Sequence, residues 1–441
     1  MLLKKIGKVP QACQQNGHPR YWGEELANVP LGARGTTPTL TPDDKFVAVG
    51  VERHIHVYSV DTRERVEVLT GHLKNIHSLQ SSPKTTQDGG YLLASYSYPD
   101  QIILWELDAD GRNSNLDDNI ADGAAFVTDA AQMVVGRLVE MYGWKPDEEA
   151  SQSIAEDFKI AMRNAVDMHT LEGLTTVKGR IASFGPSAFS QDGKMMVYLA
   201  QNESTQHGMR DEELLPSVNI WDVKKQETRH RLIGHTDAIM WAVASPDSHY
   251  IVSIARDGTV RIWVAETGEC TRVLGSFAGQ VRSGAFSPDS KYIALDQGSP
   301  KTVVYVYDIR SGTEVSRFDG FPDWARTMHW NPDGQMLAVG GRKGILHILN
   351  PYTGESIMRW SLSVEDRLLG GFISVSQVQF VAGGQKLAIR ISEGTIEVYD
   401  FNTNSKQQFS RRKENQVHGM PDWSGGGKVV LAHPVSVQLL A

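Results

Sequence analysis

Cysteine is nearly absent from this 441-residue chain: Cys13 and Cys270 are the only two. Thiols so far apart in sequence supply neither a disulfide framework nor a zinc site with close-spaced ligands, so a reducing compartment is expected. Long apolar runs are missing as well. No stretch approaches the ~18 apolar residues of a spanning helix. Met1-Leu2-Leu3-Lys4-Lys5-Ile6 runs into charge and then Pro10 without the apolar core of a secretory signal. The expected location is cytoplasmic or nuclear, with no membrane partner. Positive charge is not in excess: 44 Lys and Arg stand against 52 Asp and Glu, a formal −8. That balance opposes whole-molecule attraction to nucleic acid or anionic lipid and leaves room only for a local basic patch.

Chemical motifs are equally scarce. Gly425-Gly426-Gly427-Lys428 is followed by Val429, so a phosphate loop with its magnesium-binding hydroxyl is missing. No Gly-x-Gly-x-x-Gly follows a strand, and neither Gly-x-Ser-x-Gly nor His-Glu-x-x-His occurs. His54-x-His56 sets two imidazoles on one strand face, without a third ligand nearby. The expectation is a non-enzymatic protein with no cofactor, no metal and no catalytic residue, although residues distant in sequence can still assemble a site.

What the chain does have is repetition. From Gly234 to Leu274 four short strands and three tight turns can be read. Gly234-His235 opens the unit, an apolar stretch runs from Ala238 to Ala244, and Ser245-Pro246-Asp247 turns it back into Tyr250-Ile251-Val252-Ser253. Arg256-Asp257-Gly258-Thr259 turns again, Val260-Arg261-Ile262-Trp263 is the third strand, and Thr267-Gly268-Glu269 leads into Cys270 to Leu274. Ser-Pro-Asp offers a fixed φ and a side-chain acceptor, and Asp-Gly supplies the positive φ of tight hairpins. The strands themselves are β-branched and aromatic.

The Trp263 position recurs as Tyr58, Trp105, Trp221, Tyr307, Leu349 and Tyr399, with steps of ~40–45 residues from Trp221 and a longer last one, the period of a four-stranded propeller blade. The first turn recurs as Thr41-Pro42-Asp43, Ser82-Pro83, Ser190-Gln191-Asp192, Ser287-Pro288-Asp289 and Asn331-Pro332-Asp333. On these residues the chain resembles the WD-repeat (WD40) family. The resemblance implies an all-β, WD40-type β-propeller and, within a blade, a hydrogen-bonded set that His235, Ser253, Asp257 and Trp263 match. Four blades depart from it, with Glu52, Lys301, Lys343 and Glu393 at the turn Asp position, and these are expected to rely more on apolar packing.

Seven repeats can be drawn, and Val429 to Ala432 and Val435 to Val437 look like part of another, so seven to eight four-stranded blades are expected, eight being preferred. An open ring would leave unpaired strand edges, and residues 1–34 are expected to close it, with Leu2 to Ile6 as the donated strand and 35–441 as the propeller. A helical insertion is expected within the second blade over 108–168. There Val127, Ala131, Val134, Leu138 and Met141 recur at helical spacing, and Pro146 starts a second helix striped by Ile154, Phe158, Ala161 and Ala165. Asn202 to Pro216 is a smaller polar insertion.

The resemblance further implies that residues just before the turn Asp and those entering the first strand line one rim of the ring. Those positions hold Arg256 and Arg342, and Arg282 and Arg326, with Trp324 beside the last. Planar guanidinium groups that donate several hydrogen bonds and stack on rings suit an acidic or phosphorylated segment. The function expected is a protein–protein interaction scaffold that binds partner peptides or domains on this rim and on the helical insertion, with nucleic acid disfavoured. Two alternatives are a substrate receptor of a cullin-type ubiquitin ligase, motivated by Tyr307-Asp308-Ile309-Arg310, and a hydrolase with a channel site.

Overall fold

A computed structural model describes residues 25–31, 35–114, 175–181, 187–200, 215–298, 301–361, 374–391, 396–409, 422–423, 429–432 and 436–440. Most of the expected helical insertion, all but the last two residues of the Asn202 to Pro216 insertion, Glu393 and Leu2 to Ile6 lie outside the described residues. Within 108–168, residues 108–114 are described; they form a turn closed by Asp108 N on Arg112 O at 2.8 Å.

The described residues fold into eight antiparallel sheets, seven of four strands and one of three. In chain order the sheets span Gly35–Thr70, Ile76–Lys178, Met195–Ile233, Ile239–Leu274, Val281–Phe318, Ala325–Ser361 and Val375–Phe409. The third sheet has three named strands, and Arg180 and Phe189 approach its first edge through single bridges to Leu199 and Met196. The eighth sheet combines both ends of the described chain. Glu25–Pro30 pairs with Ser436–Leu440, which pairs with Val429–Ala432, which pairs with Asp422–Trp423.

One turn chemistry recurs between the first and second strands. Tyr250 N donates to Ser245 Oγ at 2.9 Å while Ser245 Oγ donates to Asp247 Oδ1 at 2.5 Å. Ser287 with Asp289, Ser190 with Asp192 and Thr41 with Asp43 repeat the arrangement. Each of these turns is left-handed three residues after the hydroxyl, at Asp44, Gly193, Ser248 and Ser290, as is the Asn331 turn at Gly334. The short Ser/Thr-x-Asp signal thus satisfies the backbone groups that the chain reversal strands.

Between sheets the core is apolar. Second and third strands are buried on both faces, as in Phe46–Val51 and Ile345–Leu349, because a sheet lies on either side of them. Trp263 packs with Val218 and Ile220 of the preceding sheet, and Trp105 with Ile55 and Val57 of the first. Fourth strands are the polar outer edge, Glu227–Ile233 burying only Leu232 fully. First strands pack against first strands from the fourth sheet through the seventh, and Gly35–Leu40 of the first sheet touches both the second and the eighth. They therefore lie nearest a common axis, and the fold is a β-propeller of the WD40 type.

Candidate interaction rim

The fourth sheet holds the hydrogen-bonded set complete. His235 places Nδ1 2.8 Å from Asp257 Oδ2 and Nε2 2.8 Å from Ser253 Oγ, and Trp263 Nε1 donates to the same hydroxyl at 2.9 Å. Burial lowers the His235 pKa against the pull of Asp257. Burial alone would raise Asp257, but hydrogen bonds from Thr259, His235 and the backbone win and its pKa is lowered. The ring is therefore neutral and the carboxylate ionised, a geometry that ties the loop before the first strand to the turn after the second.

A second such set was missed from sequence. His72 Nε2 lies 2.6 Å from Ser95 Oγ, which accepts from Trp105 Nε1 at 2.7 Å, while Pro99 occupies the turn position and Ser97 and Gln101 replace its carboxylate at His72 Nδ1. The signals were Gly71-His72 and a Ser ten residues before the Trp, the spacing of Ser253 to Trp263. In the first, sixth and seventh sheets the residue at that spacing is Ala48, Val339 or Ile389, each buried and apolar.

At one end of the inner strands two of the expected rim residues, Arg282 and Arg342, come together around Trp324. The Arg282 guanidinium carbon lies 3.9 Å from the Trp324 ring centroid and that of Arg342 lies 5.9 Å away. Arg342 N donates to Trp324 O at 2.8 Å, which fixes the sixth sheet's turn beside the indole. Arg282 is splayed by Gln280 Oε1, which accepts from Nε at 3.2 Å and Nη2 at 2.6 Å. Partial burial lowers the Arg282 pKa, Asp296 opposes this, and Arg326, Arg256 and Arg342 add to it, so Arg282 lies within the field of the other three guanidinium groups. Arg256, Arg282 and Arg326 are exposed and Arg342 half-buried.

Acids near the cluster are already engaged. Asp323 lies 3.8 Å from Arg342 and 3.9 Å from Lys343. Asp296 is buried beneath the rim, where burial pushes its pKa up to about 6 despite hydrogen bonds from Ser283 and Arg282. Its Oδ1 accepts from Ser283 N at 2.6 Å and Arg282 N at 3.2 Å, across the register shift between Val281 and Gly284. That shift turns Arg282 outward. Arg180 joins the same end, donating Nη2 to Ile239 O. Sequence reasoning missed it because it follows the long insertion, where the repeat register is lost.

The other flagged residues serve local structure. Asp308 Oδ1 accepts from Ser311 N at 2.8 Å and Ser311 Oγ at 2.9 Å, capping the turn after Tyr307, while Arg310 is exposed. His56 Nδ1 lies 3.3 Å from Tyr58 Oη, and burial lowers its pKa to about 4. Among the described residues no group of three His, Cys, Asp or Glu side chains is arranged to hold a metal ion. No described helix is long and apolar enough to cross a membrane.

Comparison with known proteins gives the same fold. Residues 226–264 match the family described as WD domain, G-beta repeat, and residues 319–375 match the Anaphase-promoting complex subunit 4 WD40 domain. Pre-mRNA-processing factor 19 of Oryza sativa subsp. japonica is 26% identical over 227 residues, 48% of this chain and 38% of that protein. Protein HIR1 of Eremothecium gossypii is 27% identical over 163 residues, 34% of this chain and 19% of that protein. Transcription initiation factor TFIID subunit 5 of Caenorhabditis elegans is 23% identical over 256 residues, 56% of this chain and 35% of that protein. The chain thus spans well under half the length of each of these relatives. With radial sheets of one construction, the His–Ser–Trp bonding within them and these matches, the chain is a β-propeller of WD-type repeats, similar to proteins of the WD-repeat family.

Proposed function

We propose that this protein is a non-enzymatic interaction scaffold that captures an acidic or phosphorylated segment of a partner protein on the rim formed by Arg256, Arg282, Trp324, Arg326 and Arg342. The observation that carries the reading is the Arg282–Trp324–Arg342 stack, with ring-to-guanidinium distances of 3.9 and 5.9 Å. An indole flanked by guanidinium groups holds their planes in place, which reduces the entropy lost when carboxylates or phosphates dock on them. Nearby acids offset the patch only in part: Asp296 acts on Arg282 and Asp323 is shared between Arg342 and Lys343, which leaves the cations of the rim in excess. Membership of larger assemblies fits the printed names of two matches, a subunit of the anaphase-promoting complex and a subunit of TFIID. Names tied to pre-mRNA processing and transcription initiation favour the nucleus over the cytoplasm for this chain.

The test is affinity purification with cross-linking mass spectrometry on the wild type, an Arg282→Glu/Arg326→Glu variant and a version lacking residues 110–165. Both arginines are exposed, so the double reversal is expected to abolish partner capture while leaving the urea midpoint within error. Capture that survives the reversal removes the rim from the reading. Capture lost only with residues 110–165 moves the contact to the insertion.

A further inference from the structure

Two large apolar side chains of the second sheet are exposed beyond what folding requires, Tyr98 at 63% and Leu73 at 53%. Their backbones are held close, because His72 Nδ1 is 2.9 Å from Ser97 Oγ and each residue adjoins one member of that pair. His77 completes the group, its ring centroid 6.4 Å from that of Tyr98 and 6.3 Å from that of Tyr96. These are rim positions. His77 is the second residue of its first strand, as Arg282 and Arg326 are of theirs. Tyr98 precedes Trp105 by the interval that separates Arg256 from Trp263 and Arg342 from Leu349. The second sheet therefore puts rings at both places where the fifth and sixth sheets between them put arginines.

A line of hydrogen bonds joins the two sectors. Gly179 N donates to Asp100 O at 2.6 Å, just past the Tyr98-Pro99 turn. The next residue, Arg180, reaches Ile239 O with Nη2, and Arg256 N donates to the neighbouring Ala238 O at 3.0 Å. Arg180 thus spans the gap between the aromatic turn and the first rim arginine. Asp100 does not break the positive run, since Lys178 lies 3.4 Å from it.

We propose that the arginine rim extends through Arg180 into an aromatic subsite made by Leu73, His77 and Tyr98, and that its occupant is an extended acidic polypeptide segment carrying an apolar side chain beside its acidic run. This rests on the rim reading above and adds a direction to it. The charge sign selects acids, and the exposed rings at one end only select an apolar anchor, the residue type that dominates binding energy when buried. A single nucleic-acid strand would ask for bare rings repeated along a basic path, whereas here the rings are gathered at one end and Trp324 is covered by Arg282.

Panning a phage-displayed random 16-residue peptide library on the full chain tests this, with Leu73→Ser/Tyr98→Ser and Arg282→Glu/Arg326→Glu as parallel targets. Wild type is expected to enrich acidic runs with Leu, Phe or Trp at a fixed offset on one side. The Leu73/Tyr98 variant should keep the acidic run, lose the offset residue and bind a selected peptide about tenfold more weakly by fluorescence anisotropy, ~1.4 kcal/mol. Unchanged circular dichroism of that variant separates lost binding from lost folding. Acidic runs without an apolar position, or one that persists in the Leu73/Tyr98 variant, overturn the aromatic subsite and leave the rim standing. Enrichment without acids, or no enrichment, overturns both. Displacement of a selected peptide by oligouridylate, with the Tyr98 variant resistant, would assign the subsite to RNA and overturn the peptide assignment.

Discussion

Ser253 sits between one acceptor and one donor. With His235 neutral, Nδ1 carries the proton facing Asp257, so Nε2 must accept from Ser253 Oγ, whose lone pairs accept from Trp263. Replacing Ser253 with Ala leaves a buried indole N–H and a buried imidazole nitrogen without partners. Stability is expected to fall by about 2–3 kcal/mol, read as a lower urea midpoint at unchanged slope. A loss below about 0.5 kcal/mol would show that water replaces the hydroxyl. A gain is expected elsewhere. Arg63 has φ 65° in the turn where three other sheets place Gly268, Gly312 and Gly354 at φ 74°, 73° and 72°. In each, the amide of this residue donates to the carbonyl four residues back. Arg63 is exposed, so Arg63→Gly removes left-handed strain at little other cost and should stabilise by about 0.5–1 kcal/mol in the same urea titration.

Elements were readable from sequence in proportion to how much of their specification is local. The fourth sheet was drawn almost strand for strand because turn, hydroxyl and Trp all fall within Gly234 to Leu274. The sheets with Lys301 and Lys343 at the turn position are placed by the interval between third strands and by the first turns Ser287-Pro288-Asp289 and Asn331-Pro332-Asp333, since apolar packing leaves no diagnostic residue at the second turn. Pairing across the whole chain was the least readable. Glu25–Pro30, not the more apolar Leu2 to Ile6 segment, is the strand found against Ser436–Leu440. Its register follows from a partner about 400 residues away rather than from its own alternation. The same pairing carries a prediction. Removing residues 1–34 strips the edge of Ser436–Leu440 and should lower the thermal midpoint and promote association, because an unpaired edge templates other strands. A synthetic peptide of residues 25–34 added in trans should restore the midpoint of the truncated protein. An unchanged midpoint after truncation would mean that this strand does not hold the ring.

At the scale of the whole molecule two fields compete. The chain carries a formal −8, which repels an acidic partner from afar, while the arginine cluster attracts it close in. Screening separates these by range: the Debye length is ~30 Å at 0.01 M salt and ~8 Å at 0.15 M. At the lowest salt the net charge reaches the approaching partner and opposes the cluster. Near ~0.1 M the distant repulsion is damped while the attraction at the rim survives, and at higher salt both vanish. The association rate of an acidic peptide, measured by stopped flow from ~10 mM to ~500 mM NaCl, is therefore expected to rise, peak and fall. The Arg282→Glu/Arg326→Glu variant should show only the rise, since screening then relieves repulsion alone. A steady fall in the wild type would show that net charge is not felt at the rim. A steady rise would show that the cluster does not steer its partner, and the rim reading would go with it.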